Sequence, residues 1–152
     1  MVLTKFLLPD LILIKASCTS KDDLISILID RVYSVGLKLP LKREDLIKTI
    51  QAREEMGGTL LPSGLAIPHA RLNAYEDFIV AIGIPAKAIY LEDHQIQMMA
   101  LMISSQTGGS RYLNTLAELS KISRREDYFA SLCEAENPEA FMDLLGEWDS
   151  PE

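Results

Sequence analysis

Gly57-Gly58-Thr59-Leu60-Leu61-Pro62-Ser63-Gly64-Leu65-Ala66-Ile67-Pro68-His69-Ala70-Arg71 is a glycine-rich loop that runs into a short apolar segment and stops at a proline. Proline fixes its own φ and has no N–H to donate, so it ends a strand inside a sheet, and the residue before it is held extended. Residues 65–67 therefore read as a short buried strand that ends at Pro68. His69 is delivered to the rim of the sheet with loop on either side, where an imidazole can meet a partner molecule. Arg71 follows two residues later, and Arg53 lies just upstream of the glycines.

On either side of this stretch the apolar pattern alternates between helices and strands. Upstream, residues 11–14 form a short apolar run of strand type. Ser20 with Asp23 three residues on has the spacing of a helix-capping box, and Leu24, Ile27, Leu28, Val32 and Val35 form a helical stripe closed by Gly36. A second helix is expected after Pro40, with Leu46, Ile47 and Ile50 inward and Gly57-Gly58 as its stop. Downstream, a polar turn around Asn73 precedes a strongly apolar strand over 78–84, ended by Pro85. Residues 89–91 make a brief strand.

Residues 97–104 contain the continuous run Met98-Met99-Ala100-Leu101-Met102-Ile103, which suits a strand covered on both faces. The loop Gln106-Thr107-Gly108-Gly109 leads to Ser110 as N-cap of a helix carrying Leu113, Leu116, Ala117 and Ser120. A short helix over 128–133 follows. Asn137-Pro138 then gives a cap with proline at the first helical position, ahead of Phe141, Leu144, Leu145 and Gly146. Strands in the middle with helices before and after predict an α/β three-layer sandwich: a mixed central β-sheet flanked by helices on both faces. The 152 residues read as a single domain, 1–152.

Composition narrows the function classes. Apolar residues make up 48% and charged residues 24%, ordinary values for a globular chain. The net charge of 15 − 22 = −7 argues against nucleic acid or an anionic membrane as the main partner. No apolar run reaches the roughly 18 residues of a membrane span, and Pro9, Asp10 and Lys15 break up the only stretch resembling a signal peptide. Cys18 and Cys133 have no metal spacing and read as reduced thiols, which suits a cytoplasmic protein.

With only His69 and His94 and no close carboxylate or cysteine set, no metal site is expected, and no cofactor. No Gly-x-Ser-x-Gly elbow supports a serine triad. What remains is an imidazole with arginines nearby and a glycine-rich backbone. That combination suits a phosphoryl group, held by guanidinium forks and backbone N–H groups and accepted by an imidazole nitrogen. The bland alternatives are a hydrogen-bonded structural histidine, a solvated Arg71, and an Arg53 placed at a helix C-terminus and paired with Glu54 or Glu55. His94, within Glu92-Asp93-His94-Gln95, reads as a solvated loop residue.

Arg53-Glu54, Gly58-Thr59 and Gly64-Leu65-Ala66-Ile67-Pro68-His69-Ala70-Arg71 together resemble the signature of the fructose/mannitol-type (type 2) enzyme IIA domains. These belong to the bacterial phosphoenolpyruvate:sugar phosphotransferase system, and the group includes the nitrogen-regulatory IIA proteins. The likeness extends over nearly the whole chain. It implies the α/β sandwich with a mixed sheet, a phosphohistidine at His69, and Arg53, Thr59 and Arg71 as phosphate-stabilising residues. It also implies an HPr-type phosphocarrier protein as donor, and a IIB domain or a regulatory target protein as the next partner. Many members carry a second histidine where this chain has Tyr112, and a serine where it has Gly58. No IIB or IIC segment is fused within these residues, which favours a regulatory role. A member that is never phosphorylated is the third reading.

Overall fold

All eight positions of one strand, Met98–Ser105, are buried, as its unbroken apolar run requires. This strand, the seventh in chain order (β7), anchors the sheet in a computed structural model that describes residues 3–107 and 109–148. The other elements are β1 (Ile12–Ala16), α1 (Lys21–Ser34), α2 (Arg43–Glu55), β2 (Leu65–Ala66), β3 (His69–Leu72), β4 (Ile79–Pro85), β5 (Ile89–Leu91), β6 (His94–Ile96), α3 (Gly109–Arg124), α4 (Glu126–Cys133) and α5 (Pro138–Trp148). The main sheet runs β1-β4-β7, with β2 and β3 both on the outer side of β7. β4 and β7 are antiparallel, while β1–β4, β2–β7 and β3–β7 are parallel, so the sheet is mixed as expected.

Side chains alternate between two cores because successive strand residues point to opposite faces. Ala81, Met99, Leu101 and Ile103 join Leu24, Leu28, Leu46 and Ile50 of α1 and α2 in one core. Val80, Ile82, Ala100 and Met102 join Leu119, Ile122, Phe129 and Phe141 of α3, α4 and α5 in the other. The three-layer sandwich is therefore present. Gly83 brings α1 down onto β4: a Cβ there would lie 3.0 Å from a Leu24 methyl and 3.1 Å from one of Leu28.

Several local expectations hold at atomic detail. The Asp23 N–H donates to Ser20 Oγ at 3.0 Å, and the Ala140 N–H donates to Asn137 Oδ1 at 2.8 Å, so both caps are formed. Others shift. α2 starts at Arg43 rather than directly after Pro40, since Tyr33 donates its hydroxyl to Leu41 O at 2.8 Å and ties that residue to α1. α3 starts at Gly109, which puts Ser110 inside the first turn, and Gly108 lies outside the described residues. His94 is exposed but opens β6, which pairs with β5 as a small hairpin. Gly146 does not end α5, which continues to Trp148, where the indole N–H donates to Glu118 at 2.9 Å. Among the described residues no helix is long and apolar enough to cross a membrane.

Candidate functional site

His69 does not sit between two loops. Pro68 interrupts the outer strand, but pairing with β7 resumes at once: His69 is the first residue of β3, opposite Met102. The interruption is braced by backbone. Met102 N–H donates to Pro68 O at 2.9 Å, and Ile67 N–H donates to Thr59 O at 2.8 Å. The Thr59 hydroxyl donates in return to Ile67 O. Thr59 thus clamps the glycine loop onto the residue before Pro68, and its hydroxyl proton is already engaged.

Gly64 sets the approach to this clamp. Its φ is +97°, and its carbonyl accepts from the Gln97 and Met98 N–H groups at 2.8 and 3.3 Å. A Cβ there would stand 3.2 Å from Gln95 O. Gly64→Ala is therefore expected to cost roughly 1–3 kcal/mol. The change should appear as a lower urea midpoint with an unchanged slope.

The ring of His69 lies under a lid. Tyr112, in the first turn of α3, stacks on it with centroids 3.7 Å apart and planes 8° from parallel. His69 as a residue is only 6% exposed, not open as the sequence suggested, because a full aromatic face covers it. In the ring plane, Nε2 lies 2.8 Å from Ser104 Oγ, on the neighbouring strand β7. No sequence motif marks Ser104. It closes the apolar run of β7, and only the parallel register beside β3 brings it to the histidine.

Two cations complete the site. Arg71 is on β3, two residues from His69 and so on the same face. Its guanidinium carbon stands 6.0 Å from the Tyr112 ring centroid, and its Nη2 would be 3.7 Å from a Cβ placed on Gly109, the first residue of α3. Arg53 comes from the last turn of α2. Both arginines are exposed, and among the described residues neither pairs with a carboxylate. Glu54 instead turns inward and meets Lys21 Nζ at 3.4 Å, so the expected structural pairing of Arg53 with its neighbour is not made. Thus His69, Arg53, Arg71, Thr59 and Tyr112 converge on one end of the sheet, next to the positive end of α3.

Burial, then the charge of Arg71, then that of Arg53, push the His69 pKa down to about 4. The imidazole is therefore neutral near pH 7, and one of its two nitrogens carries a lone pair. The unfolded chain binds this proton near pH 6.5 and the folded protein only near 4, so the folded state loses ground as pH falls from 6.5 to 4. Comparing wild type with His69→Gln should reveal this as roughly 1–3 kcal/mol of stability lost across that window and none above it. Tyr112→Ala uncovers the ring and should move the His69 pKa upward, toward 6.5, in an NMR titration. An unmoved pKa would mean that the tyrosine is not what dries the ring.

Residues 5–148 match the family model described as phosphoenolpyruvate-dependent sugar phosphotransferase system, EIIA 2, and the chain belongs to that family. It is 26% identical over 141 residues to the PTS system fructose-specific EIIA component of Haloferax volcanii, covering 91% of this chain and 90% of that protein. It is also 29% identical over 110 residues to the fructose-specific EIIABC component of Bacillus subtilis, covering 70% of this chain and 17% of that longer protein. Among solved structures, nitrogen regulatory protein IIA-Ntr from Neisseria meningitidis has the same fold, with a TM-score of 0.83 over 95% of this chain and 99% of that one at 18% identity. Enzyme IIA mannitol from Escherichia coli, solved in complex with phosphorylated enzyme IIB mannitol, gives 0.74 over 93% and 97% at 14% identity. Components of this family are parts of a phosphotransferase system, and carrying phosphate is their general role.

Proposed function

We propose that His69 accepts a phosphoryl group from the phosphohistidine of an HPr-type carrier protein and hands it to a IIB domain. One observation carries this reading: a neutral imidazole beside two guanidinium groups that have no carboxylate partner among the described residues. A ring nitrogen of His69 forms the new N–P bond while the donor's N–P bond breaks, and the electron pair of that bond returns to the donor's ring. Arg53 and Arg71 steady the oxygens of the moving group, which carries nearly two negative charges. Thr59 contributes by fixing the loop that borders the site. Exposed Met56, three residues after Arg53, and exposed Leu113, next to Tyr112, supply apolar surface for a docking protein. The chain acts as one IIA unit in the cytoplasm, where phosphoenolpyruvate supplies the phosphate.

The experiment is incubation with enzyme I, HPr and phosphoenolpyruvate, followed by intact mass. The expected result is a gain of one acid-labile phosphoryl group. No gain with any phosphocarrier would leave only the reading of a member that is never phosphorylated. A second reading, in which phosphorylation is a switch for binding a regulatory target protein, is favoured by the Tyr112 lid. A phosphoryl group on a ring nitrogen lies in the ring plane, beside the stacked Tyr112, and its nearly two negative charges change the surrounding surface. Phosphorylation followed by transfer to no IIB domain, together with a target bound in only one phosphorylation state, would select this second reading.

A further inference from the structure

We propose that one exposed flank of α3 is a docking groove for an acidic amphipathic helix of a partner protein. The groove lies apart from the phosphoryl site, so the inference goes beyond the reading of His69 and stands without it.

The groove measures about 590 Å³ and runs between α3 and the segment that leads toward β1. Lys5 and Phe6 form one wall, and Arg111, Asn114, Glu118 and Lys121 form the other. The first wall is fixed from below: Leu3 and Leu7 are buried, and the Phe6 and Leu7 N–H groups both donate to Leu3 O, at 2.9 and 3.2 Å. The second wall is a single helical stripe, because spacings of three and four residues place its four side chains within about a quarter turn. Thr115 and Ile122, both buried, separate this stripe from Tyr112 around the helix.

Charge and shape decide what fits. Acids outnumber bases in the chain by 22 to 15, yet Lys5, Arg111 and Lys121 here face only Glu118. That carboxylate is already engaged: Oε2 accepts from the Trp148 indole at 2.9 Å, and Oε1 stands 3.8 Å from Lys121 Nζ. Lys5 and Arg111 have no carboxylate partner among the described residues. Phe6, 37% exposed, adds apolar surface, as do the methylene stems of the cations. A helix laid along the stripe meets Arg111 and Lys121 roughly 15 Å apart, ten residues at 1.5 Å each. Carboxylates at that separation, flanking an apolar face, match the groove.

The volume lies in the small-molecule range, but small-molecule sites enclose most of their ligand. Here every wall residue except Glu118 is exposed, so a small anion would stay in water. A flat anionic bilayer does not follow a concave groove, and it would set a whole plane of charge against an acidic protein. A single helix keeps its charge within about 8 Å, one Debye length, of the three cations.

The chain's single tryptophan reports on the groove, since Glu118 holds its indole N–H. The probe is a synthetic, tryptophan-free helical peptide with leucines on one face and flanking glutamates ten residues apart. Titrated into the unphosphorylated protein at low salt, it should shift Trp148 emission saturably and move the amide signals of residues 5–8 and 111–121. Arg111→Glu combined with Lys121→Glu should weaken binding at least about tenfold, because like charges then face each other. Arg111→Lys with Lys121→Arg should bind as the wild type does, and a peptide with glutamine for glutamate at least about tenfold less tightly. Should the double glutamate variant lose its helical circular dichroism, Lys5→Glu and Lys121→Glu singly carry the comparison. No saturation by about 1 mM peptide, equal binding of the glutamine peptide, or undiminished binding by the glutamate variants would overturn the proposal. So would binding of phosphatidylserine vesicles in preference to the peptide, or a dimer of this chain that the glutamate variants break. The occupant would then be a membrane or a second copy. His69 takes no part in the titration, so failed phosphoryl uptake and failed peptide binding are separate results.

Discussion

With His69 replaced by alanine or glutamine, the protein is expected to gain no phosphoryl group from any phosphocarrier. The wild type, run beside it, should gain one. The effect is all-or-none because only the imidazole offers a nitrogen lone pair at this point of the site. Glutamine is the sharper variant: it approximates the volume under Tyr112 and can still bond Ser104, so loss of uptake there cannot be laid to a collapsed stack. Acid lability separates phosphohistidine from a serine or threonine ester, which matters with Thr59 nearby. Because the ring is neutral down to about pH 4, uptake by the wild type should not fall as pH drops from 8 to about 5.5, provided the donor is kept charged. A drop centred on pH 6.5 would mean that the ring is wetter than the structure shows.

Arg53→Ala is expected to slow phosphoryl uptake roughly 10²–10³-fold, the loss typical of removing one preorganised charge from the transition state. Folding should hardly change. Arg53 is exposed and has no ion-pair partner among the described residues, so its removal should stay within about 0.5 kcal/mol of wild type in denaturant unfolding. Arg53→Lys keeps the charge but loses the planar fork, and should fall between the two. Arg71→Ala has a different signature. That side chain also lies near Tyr112 and the start of α3, so the substitution should disturb the lid as well as the rate. If Arg53→Ala unfolds the protein, or leaves the rate untouched, the guanidinium is structural or idle.

Much of this was legible in the chain itself. The six-residue apolar run that opens β7, the caps at Ser20 and Asn137, and the approach to Pro68 each follow from local rules, and each is found. The residues expected to matter, His69, Arg53, Arg71, Thr59 and Tyr112, do meet in space. What was not legible depends on pairing between distant strands. The sequence shows Pro68 ending a strand, but not that β7 offers partners on both sides of the break, so from sequence alone His69 reads as a rim residue with loop on either side. Ser104 ends an apolar run and carries no motif, and its meaning arises only from lying beside β3 in parallel register. The burial of the ring could not be foreseen either, since it needs the first turn of α3 folded back over the sheet.

The break at Pro68 has a counterpart across the sheet. At the opposite border, the ladder between β1 and β4 slips between Leu13 and Ala16, where Lys15 has a φ of +54°. Both outermost strands are thus interrupted, one by a residue without an N–H and one by an irregularity carrying a lysine. Proteins use these devices to deny a neighbouring copy a flat ribbon of free amides to zip onto. A sheet with strands as greasy as Ile79–Pro85 and Met98–Ser105 would otherwise be a template for fibrous self-association, and here its margins are blunted at both ends.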